Sequence, residues 1–485
     1  MHNPSRDHDV PVPLRLSGDQ MRALGYRAVD EIVQHLTTLR DQPVGRSFNW
    51  QELEKLFNIP VPENPSPAPD VLGEAVGQVL ASIVHTDHPR FMAYIPGPST
   101  YVGAIADFLA AGFNVFAGHW LVGAGPAVVE RVTIGWLREL CGLPDSAGGL
   151  FLSGGTMASM VAVHAARTDR LGGPDPDGVV YVTAQTHASI RRGLRFLGMA
   201  DRQVRVVPVD GSYRMDPAAL KALVIADSDS GLRPFCAVAT AGTTSTGVTD
   251  PLGRIADVCR QTRLWLHVDG AYGAAAVLAG NVRAVMDGLD RADSIALDPH
   301  KWWFQPYEAG CLLVRDARTL PRAYGLHAEY LRETHAGDGQ VNYYDWGPQL
   351  TRGFRALKVW MSLRTFGLNA FRAAVEHGLG LAEHAQATLA SRAQWEVVTP
   401  AQLGIVTFRP HAPGLSPGQV DSLTRDIAAR SLEDGYALVL TTELLEPVDD
   451  GGDVAAGGLR VDGAQAQHGT VGQLGRQNQR ITVFE

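Results

Sequence analysis

The sequence is poor in cysteine and has no long apolar run. Its four cysteines, Cys141, Cys236, Cys259 and Cys311, lie far apart and form no Cys-x-x-Cys pair. That spacing fits reduced thiols in the cytoplasm better than a disulfide framework or a zinc site, so no metal is expected. Nothing approaches the roughly 20 consecutive apolar residues of a membrane span. The opening MHNPSRDHDVPVP is polar and proline-punctuated, with no apolar segment behind a basic one, and no signal peptide is expected. Positive charge is not in excess: 42 Lys and Arg face 51 Asp and Glu, a formal net charge of −9. Neither nucleic acid nor an anionic membrane is therefore expected as the main partner. Internal repeats are missing too, as are the Gly-Lys-Ser/Thr ending of a nucleotide phosphate loop and a Gly-x-Gly-x-x-Gly fingerprint. The nucleoside triphosphate and dinucleotide readings lose ground accordingly.

What is present fits a soluble enzyme. At 485 residues the chain exceeds what one hydrophobic core usually takes, and 45% hydrophobic with 19% charged residues is ordinary for a folded protein. A Ser-x-x-Gln capping pattern at Ser17 opens a helical periodicity through Met21, Leu24, Val29, Ile32, Val33 and Leu36. The Pro-rich piece from Ile59 to Asp70 reads as an extended connector. From about Asp87 to Val314, helical patterns alternate with short apolar strands such as GVVYVTA, PFCAVATA, LWLHVDG, SIALD and GCLLVRD. That alternation predicts an α/β fold with a mostly parallel sheet, which binds ligands off the carboxyl ends of its strands. After a helical stretch around Ala356–Phe371, the strand GIVTFRP marks a smaller C-terminal α/β domain.

Polar residues of a particular kind cluster at those strand ends. Ser153-Gly154-Gly155-Thr156 joins an apolar strand to a helix: a phosphate cradle, or a plain strand–helix turn. His187 and Ser189 follow GVVYVTA directly, and an imidazole there is either structural or able to lie flat on a planar ring. Thr240, Gly242, Thr243 and Thr244 crowd another strand end, where bulkier residues would occlude a ligand. Asp269 ends an apolar strand; a carboxylate there is expensive unless it meets a cation, with a helix cap as the bland alternative. Lys301 follows in SIALDPHKWW, where apolar surroundings lower a lysine's pKa and free its amine to condense with an aldehyde. Carboxylate, cradle, histidine and Schiff-base lysine together are what pyridoxal phosphate needs.

In this order, Ser-Gly-Gly-Thr, Thr-His-x-Ser, Ala-Gly-Thr-Thr, His-Val-Asp-x-Ala-Tyr and Pro-His-Lys-Trp, the motifs resemble those of the pyridoxal-phosphate group II amino-acid decarboxylases, the aromatic-L-amino-acid decarboxylases above all. The resemblance runs from about Leu14 to Leu440 and implies the fold type I, aspartate aminotransferase-like architecture and an obligate homodimer. It implies that Lys301 carries the cofactor covalently, preceded by His300. Asp269 would face the pyridine nitrogen, Ala271 lie beneath the ring and His187 stack on its other face. Gly154, Gly155, Thr156 and Thr243 would lie near the phosphate, and Asp298 stands where relatives often carry Asn. The segment from His88 to Asn114 resembles one that builds the substrate pocket, partly across the dimer. Thr86, Tyr94, Ile95, Pro96 and Phe116, in and beside that segment, are the expected pocket residues. Leu326 to Trp346 resembles a mobile loop that closes over the substrate. Its Tyr330 is implied to protonate the α-carbon after carbon dioxide leaves, where aldehyde-forming relatives carry Phe.

Two departures bear on substrate and stability. Thr86, Ile95 and Gly118 stand where relatives carry aromatics, and Phe116 replaces an aliphatic residue. No arginine is evidently dedicated to a second carboxylate, which favours an aromatic substrate over an acidic or diamino one. The end of the chain, rich in Gly, Gln, Asp and Val, reads as a disordered tail. The expected division is an N-terminal segment (1–86) packing on the dimer partner, a large cofactor domain (87–365), a small C-terminal domain (366–445) and the tail (446–485). The competing functions are an aldehyde synthase on the same scaffold and a catalytically lapsed, cofactor-binding protein.

Overall fold

A computed structural model describes residues 14–325, 339–444 and 478–484. The chain forms two compact units. One runs up to Arg90 and includes Arg430–Leu438; the other comprises Phe91–Ala429 and the residues from Val439 on.

In the first unit, the helix Gly18–Thr38 starts where the capping pattern predicts. Gln20 N–H donates to Ser17 Oγ (3.2 Å) and Ser17 N–H to Gln20 Oε1 (2.8 Å), satisfying two donors that a helix start leaves free. The helix buries none of its residues within the chain, and Met21 (55% exposed) and Val33 (42%) stand open on it.

The second unit is built on two sheets. The two-residue β1 (Phe91–Met92) belongs to the smaller one. The larger comprises β2 (Gly148–Leu152), β3 (Gly178–Thr183), β4 (Val204–Val207), β5 (Arg233–Thr240), β6 (Trp265–Asp269), β7 (Ser294–Leu297) and β8 (Gly310–Val314). Their spatial order is β2-β8-β7-β6-β5-β3-β4, and only β8 runs against the rest. Every residue of β3, β6, β7 and β8 is buried, as expected of a sheet covered on both faces. The helix Gly155–Leu171 supplies part of that cover through Ala158, Val161, Ala162 and Ala165. Register brings polar residues together at one edge: Thr240 pairs with Asp269, and Asp269 with Ala296, so the carboxyl ends of β5, β6 and β7 lie side by side.

The expected boundary at 365/366 falls beside Gly367, whose φ of 74° and ψ of 155° break the helical run Ala356–Ala390 in two. Beyond it, β9 (Trp395–Gln402), β10 (Ile405–Pro410), β11 (Leu438–Leu444) and β12 (Asn478–Phe484) complete a five-stranded sheet in the order β1-β11-β12-β10-β9. β12 runs antiparallel to both neighbours, Ile405 opposite Phe484 and Leu440 opposite Thr482. This corrects the reading of the last residues as disordered. The bulk composition of the tail hides a short β-branched run, Ile-Thr-Val-Phe, that suits a strand. Among the described residues no helix is long and apolar enough to cross a membrane.

Candidate active site

A cavity of about 320 Å³ opens at the carboxyl ends of the parallel strands. Each strand delivers part of its wall, and the chemistry follows the strand order. From the end of β2 come Ser153, Gly154, Gly155 and Thr156, leading into the helix Gly155–Leu171. No side chain caps that helix, so its first N–H groups are left for an anion. Gly155 permits a close approach: a Cβ there would come within 3.0 Å of both the Ala271 Cβ and Asp298 Oδ2.

The β2 end is itself held by a buried ion pair. Arg352 donates to Glu130 Oε1 (2.6 Å) and to the Phe151 carbonyl (2.8 Å), while Phe151 N–H donates to Glu130 Oε1 (2.8 Å). Neither charged side chain is more than 2% exposed.

His187 caps the next helix, Ala188–Phe196, and its Nδ1 lies 2.8 Å from Ser189 Oγ. Burial holds this imidazole below its ordinary pKa, against the opposing charge of Asp269. From β6, Asp269 accepts the Ala271 N–H at 3.2 Å and turns into the cavity. Just upstream, His267 is fully buried between Ser294 Oγ (2.9 Å) and Ser159 Oγ (3.1 Å); burial brings its pKa down to about 4.

The loop after β7 carries the amine. Lys301 Nζ lies 3.3 Å from Asp298 Oδ2, and His300 Nε2 lies 3.6 Å from the same oxygen. The sequence suggests an apolar setting for this lysine, but a carboxylate stands beside it. Burial lowers the His300 pKa, and Asp298 opposes the shift. The other oxygen, Asp298 Oδ1, and the Thr240 hydroxyl are buried without a hydrogen-bond partner, and both residues line the cavity. A buried polar atom left unpaired costs about 1–3 kcal/mol unless a ligand meets it.

Most residues singled out from the sequence therefore meet in one cavity: Gly154, Gly155, Thr156, His187, Asp269, Ala271, Asp298, His300 and Lys301. Others do not. Thr243 is buried in its own turn, its hydroxyl 2.7 Å from Thr246 Oγ1, and Gly242 and Thr244 face the cavity instead. Tyr94, Ile95, Pro96 and Phe116 do not line it either. Ile95 is packed in the core, while Tyr94 is 65% exposed, and both have left-handed backbones at φ 55° and 57°. The residue of this segment that touches the site is Gly97, where a Cβ would come within 1.8 Å of the Lys301 carbonyl oxygen. Thr86 belongs to the other compact unit. Tyr330 lies outside the described residues.

Tyr272, which closes the His-Val-Asp-x-Ala-Tyr motif, and Glu308, which lies in none of the motifs, also line the cavity. Tyr272 accepts the Gly404 N–H at 2.6 Å and packs edge-on against Trp302. Glu308 reaches the cavity from just before β8 and pairs with Arg355 at 2.6 Å. Its signal was a lone carboxylate ahead of a wholly apolar strand.

Comparison with known proteins agrees with this geometry. Residues 51–411 match the pyridoxal-dependent decarboxylase conserved domain. An aromatic-L-amino-acid decarboxylase of Bacillus atrophaeus is 43% identical over 438 residues, covering 90% of this chain and 91% of that protein. The crystal structure of Oryza sativa TDC with PLP and tryptamine superposes with a TM-score of 0.84 at 29% identity, covering 89% of this chain and 92% of that one. A Rhodiola rosea 4-hydroxyphenylacetaldehyde synthase superposes at 0.83 with 25% identity, covering 97% of this chain and 94% of that one. The chain belongs to the pyridoxal-dependent decarboxylases, enzymes of fold type I that use pyridoxal phosphate to remove the carboxylate of an amino acid.

Proposed function

We propose that this enzyme decarboxylates an aromatic L-amino acid to its amine and carbon dioxide, acting as a cytoplasmic homodimer. The observation that carries the site assignment is one cavity lined by both the Lys301 amine and the Asp269 carboxylate. Pyridoxal phosphate suits it for three reasons. An uncapped helix start beside Gly155 suits a phosphate, the unpaired Thr240 and Asp298 oxygens await a polar ligand, and the lysine offers covalent attachment.

When bound, the cofactor supplies an aldehyde that takes the amino group and a ring that accepts the electron pair left as carbon dioxide departs. The chain supplies the rest. Lys301 anchors, with Asp298 3.3 Å away to orient its amine. Asp269, a cavity carboxylate, would hold a proton on the cofactor's ring nitrogen and so keep the ring electron-poor. His187 and Ala271, which line the same cavity, would hold the ring of the cofactor. Gly154, Gly155 and Thr156, at the uncapped helix start, would hold the phosphate. Tyr330 would return a proton to the α-carbon, the role its place in the sequence resemblance implies.

An aromatic substrate is favoured by the 43% identical Bacillus atrophaeus protein and by the tryptamine in the Oryza sativa structure. A homodimer is favoured by Met21, Ile32 and Val33, apolar residues that stand exposed on the helix Gly18–Thr38. In that dimer the segment carrying Tyr94, Ile95, Pro96 and Phe116 would serve the substrate pocket. The four-part division of the chain is proposed on the same footing, now with β12 in the small domain. Purified protein should release amine and carbon dioxide from tryptophan, tyrosine or dihydroxyphenylalanine. Turnover confined to glutamate or diaminobutyrate would overturn the aromatic assignment. The likeness to the Rhodiola rosea synthase favours a second reading, oxidative formation of an aldehyde, which the same assay separates by aldehyde, ammonia and peroxide. Tyr330 in place of Phe weighs against it.

A further inference from the structure

A second cavity of about 510 Å³ lies at the opposite edge of the large sheet, where the parallel strands begin. Leu264 and Leu266 bracket the start of β6, Asp293 precedes β7, and Arg315 follows the antiparallel β8. Five arginines line it: Arg170, Arg260, Arg263, Arg291 and Arg315. Arg170 pairs with Asp169, and Arg260 (3.0 Å) and Arg291 (2.7 Å) share Asp257. Arg315 donates to the carbonyls of Ala292 and Asp290. Among the described residues, Arg263 and Arg315 have no carboxylate within ion-pair distance. The lining carboxylate is Asp293, which accepts the Leu266 N–H at 2.8 Å and whose pKa burial raises. Five guanidiniums thus face three carboxylates, which leaves an excess of two positive charges.

Arg263 adds an independent argument. It ends the helix Leu252–Thr262 in a left-handed conformation, φ 60°, where glycine or asparagine would be cheaper. Strain of this kind persists where a side chain is needed in place. The floor of the cavity is apolar, formed by Ala256, Leu264 and Leu266, and the Arg170 guanidinium lies over the Trp265 ring. Guanidinium planes bind phosphate in a two-pronged fashion and also stack on flat rings.

We propose that this cavity binds a small phosphate monoester carrying a flat ring, about the size of a nucleoside monophosphate, at a site separate from the catalytic one. The ester's double negative charge matches the uncompensated arginines, and its ring matches the apolar floor. A volume of about 510 Å³ falls within the usual range for small-ligand sites. A nucleotide and a vitamin phosphate share this chemistry, and the experiment separates them.

Holoenzyme is titrated calorimetrically with AMP, pyridoxine 5′-phosphate and inorganic phosphate at low salt; pyridoxine phosphate has no aldehyde to react with lysine. At least one ester should bind once per chain with Kd of about 1 mM or tighter. Arg263→Glu should weaken that binding about tenfold or more, the loss of one charge-assisted contact. The decarboxylation rate should stay at the parent value, which shows the variant is folded. Arg263→Gly should also weaken binding while melting at or above the parent's temperature, since it relieves the left-handed strain. Failure of both esters to bind would overturn the proposal, as would binding unchanged in both variants. Inorganic phosphate binding as tightly as either ester would overturn the role of the ring.

Discussion

At the scale of single residues, the two charges at the cavity make the sharpest predictions. Lys301→Ala should remove the borohydride-trappable cofactor and lower amine release by about 10³-fold or more, measured with cofactor in excess. Asp269→Asn keeps the shape but not the charge, and should cost about 10²–10³-fold in kcat. Gly155→Ala should leave the fold intact and loosen cofactor retention on dialysis, because the new methyl would come within 3.0 Å of the Ala271 Cβ and Asp298 Oδ2. Lys301, Asp269 and His187 were legible in the sequence because each sets a polar or charged group at or just past the end of an apolar strand. Glu308 and the choice of Thr244 over Thr243 were not. Which hydroxyl of a four-residue turn faces inward depends on the turn's own hydrogen bonds, here Thr243 to Thr246, and no periodicity encodes them.

At the scale of elements, what fixes the strand ends is a set of tight contacts from segments distant in sequence. Gly97→Ala would push the Lys301 backbone away, at a cost of about 1–3 kcal/mol, and should lower both melting temperature and turnover. Glu130→Gln would strip Arg352 of its partner in a buried setting, and should cost about 3–5 kcal/mol in chemical denaturation. The strands predicted between Gly178 and Val314 appear within a residue or two of their expected places; burial on both faces makes β3, β6, β7 and β8 read as continuous apolar runs. The segment around Tyr94 was harder. Two consecutive left-handed residues there turn the chain in a way that their side chains do not advertise. The boundary expected at 365/366 lies next to Gly367, where non-helical backbone separates two helical runs.

At the scale of the whole molecule, stability should depend on acid through His267. Its folded pKa of about 4 lies below the unfolded value of 6.5, so the folded state holds fewer protons. Stability is therefore greatest above the unfolded value and is lost as pH falls from 6.5 toward 4. At pH 5 the loss from this group is about 2 kcal/mol relative to pH 7. Denaturation of wild type and His267→Gln at both pH values reads it: the variant's curve should be flatter by that amount, and equal slopes would refute the assignment. The division into α/β layers was legible from strand–helix alternation, whereas the closure of the five-stranded sheet was not, since it pairs segments either side of a long compositionally biased stretch. That closure has a consequence during synthesis. β12, made after both of its neighbours, sits between β10 and β11. Until the ribosome has passed residue 484, a nascent chain presents two bare strand edges, and a product cut short before Asn478 would keep them, exposed to pairing with other chains.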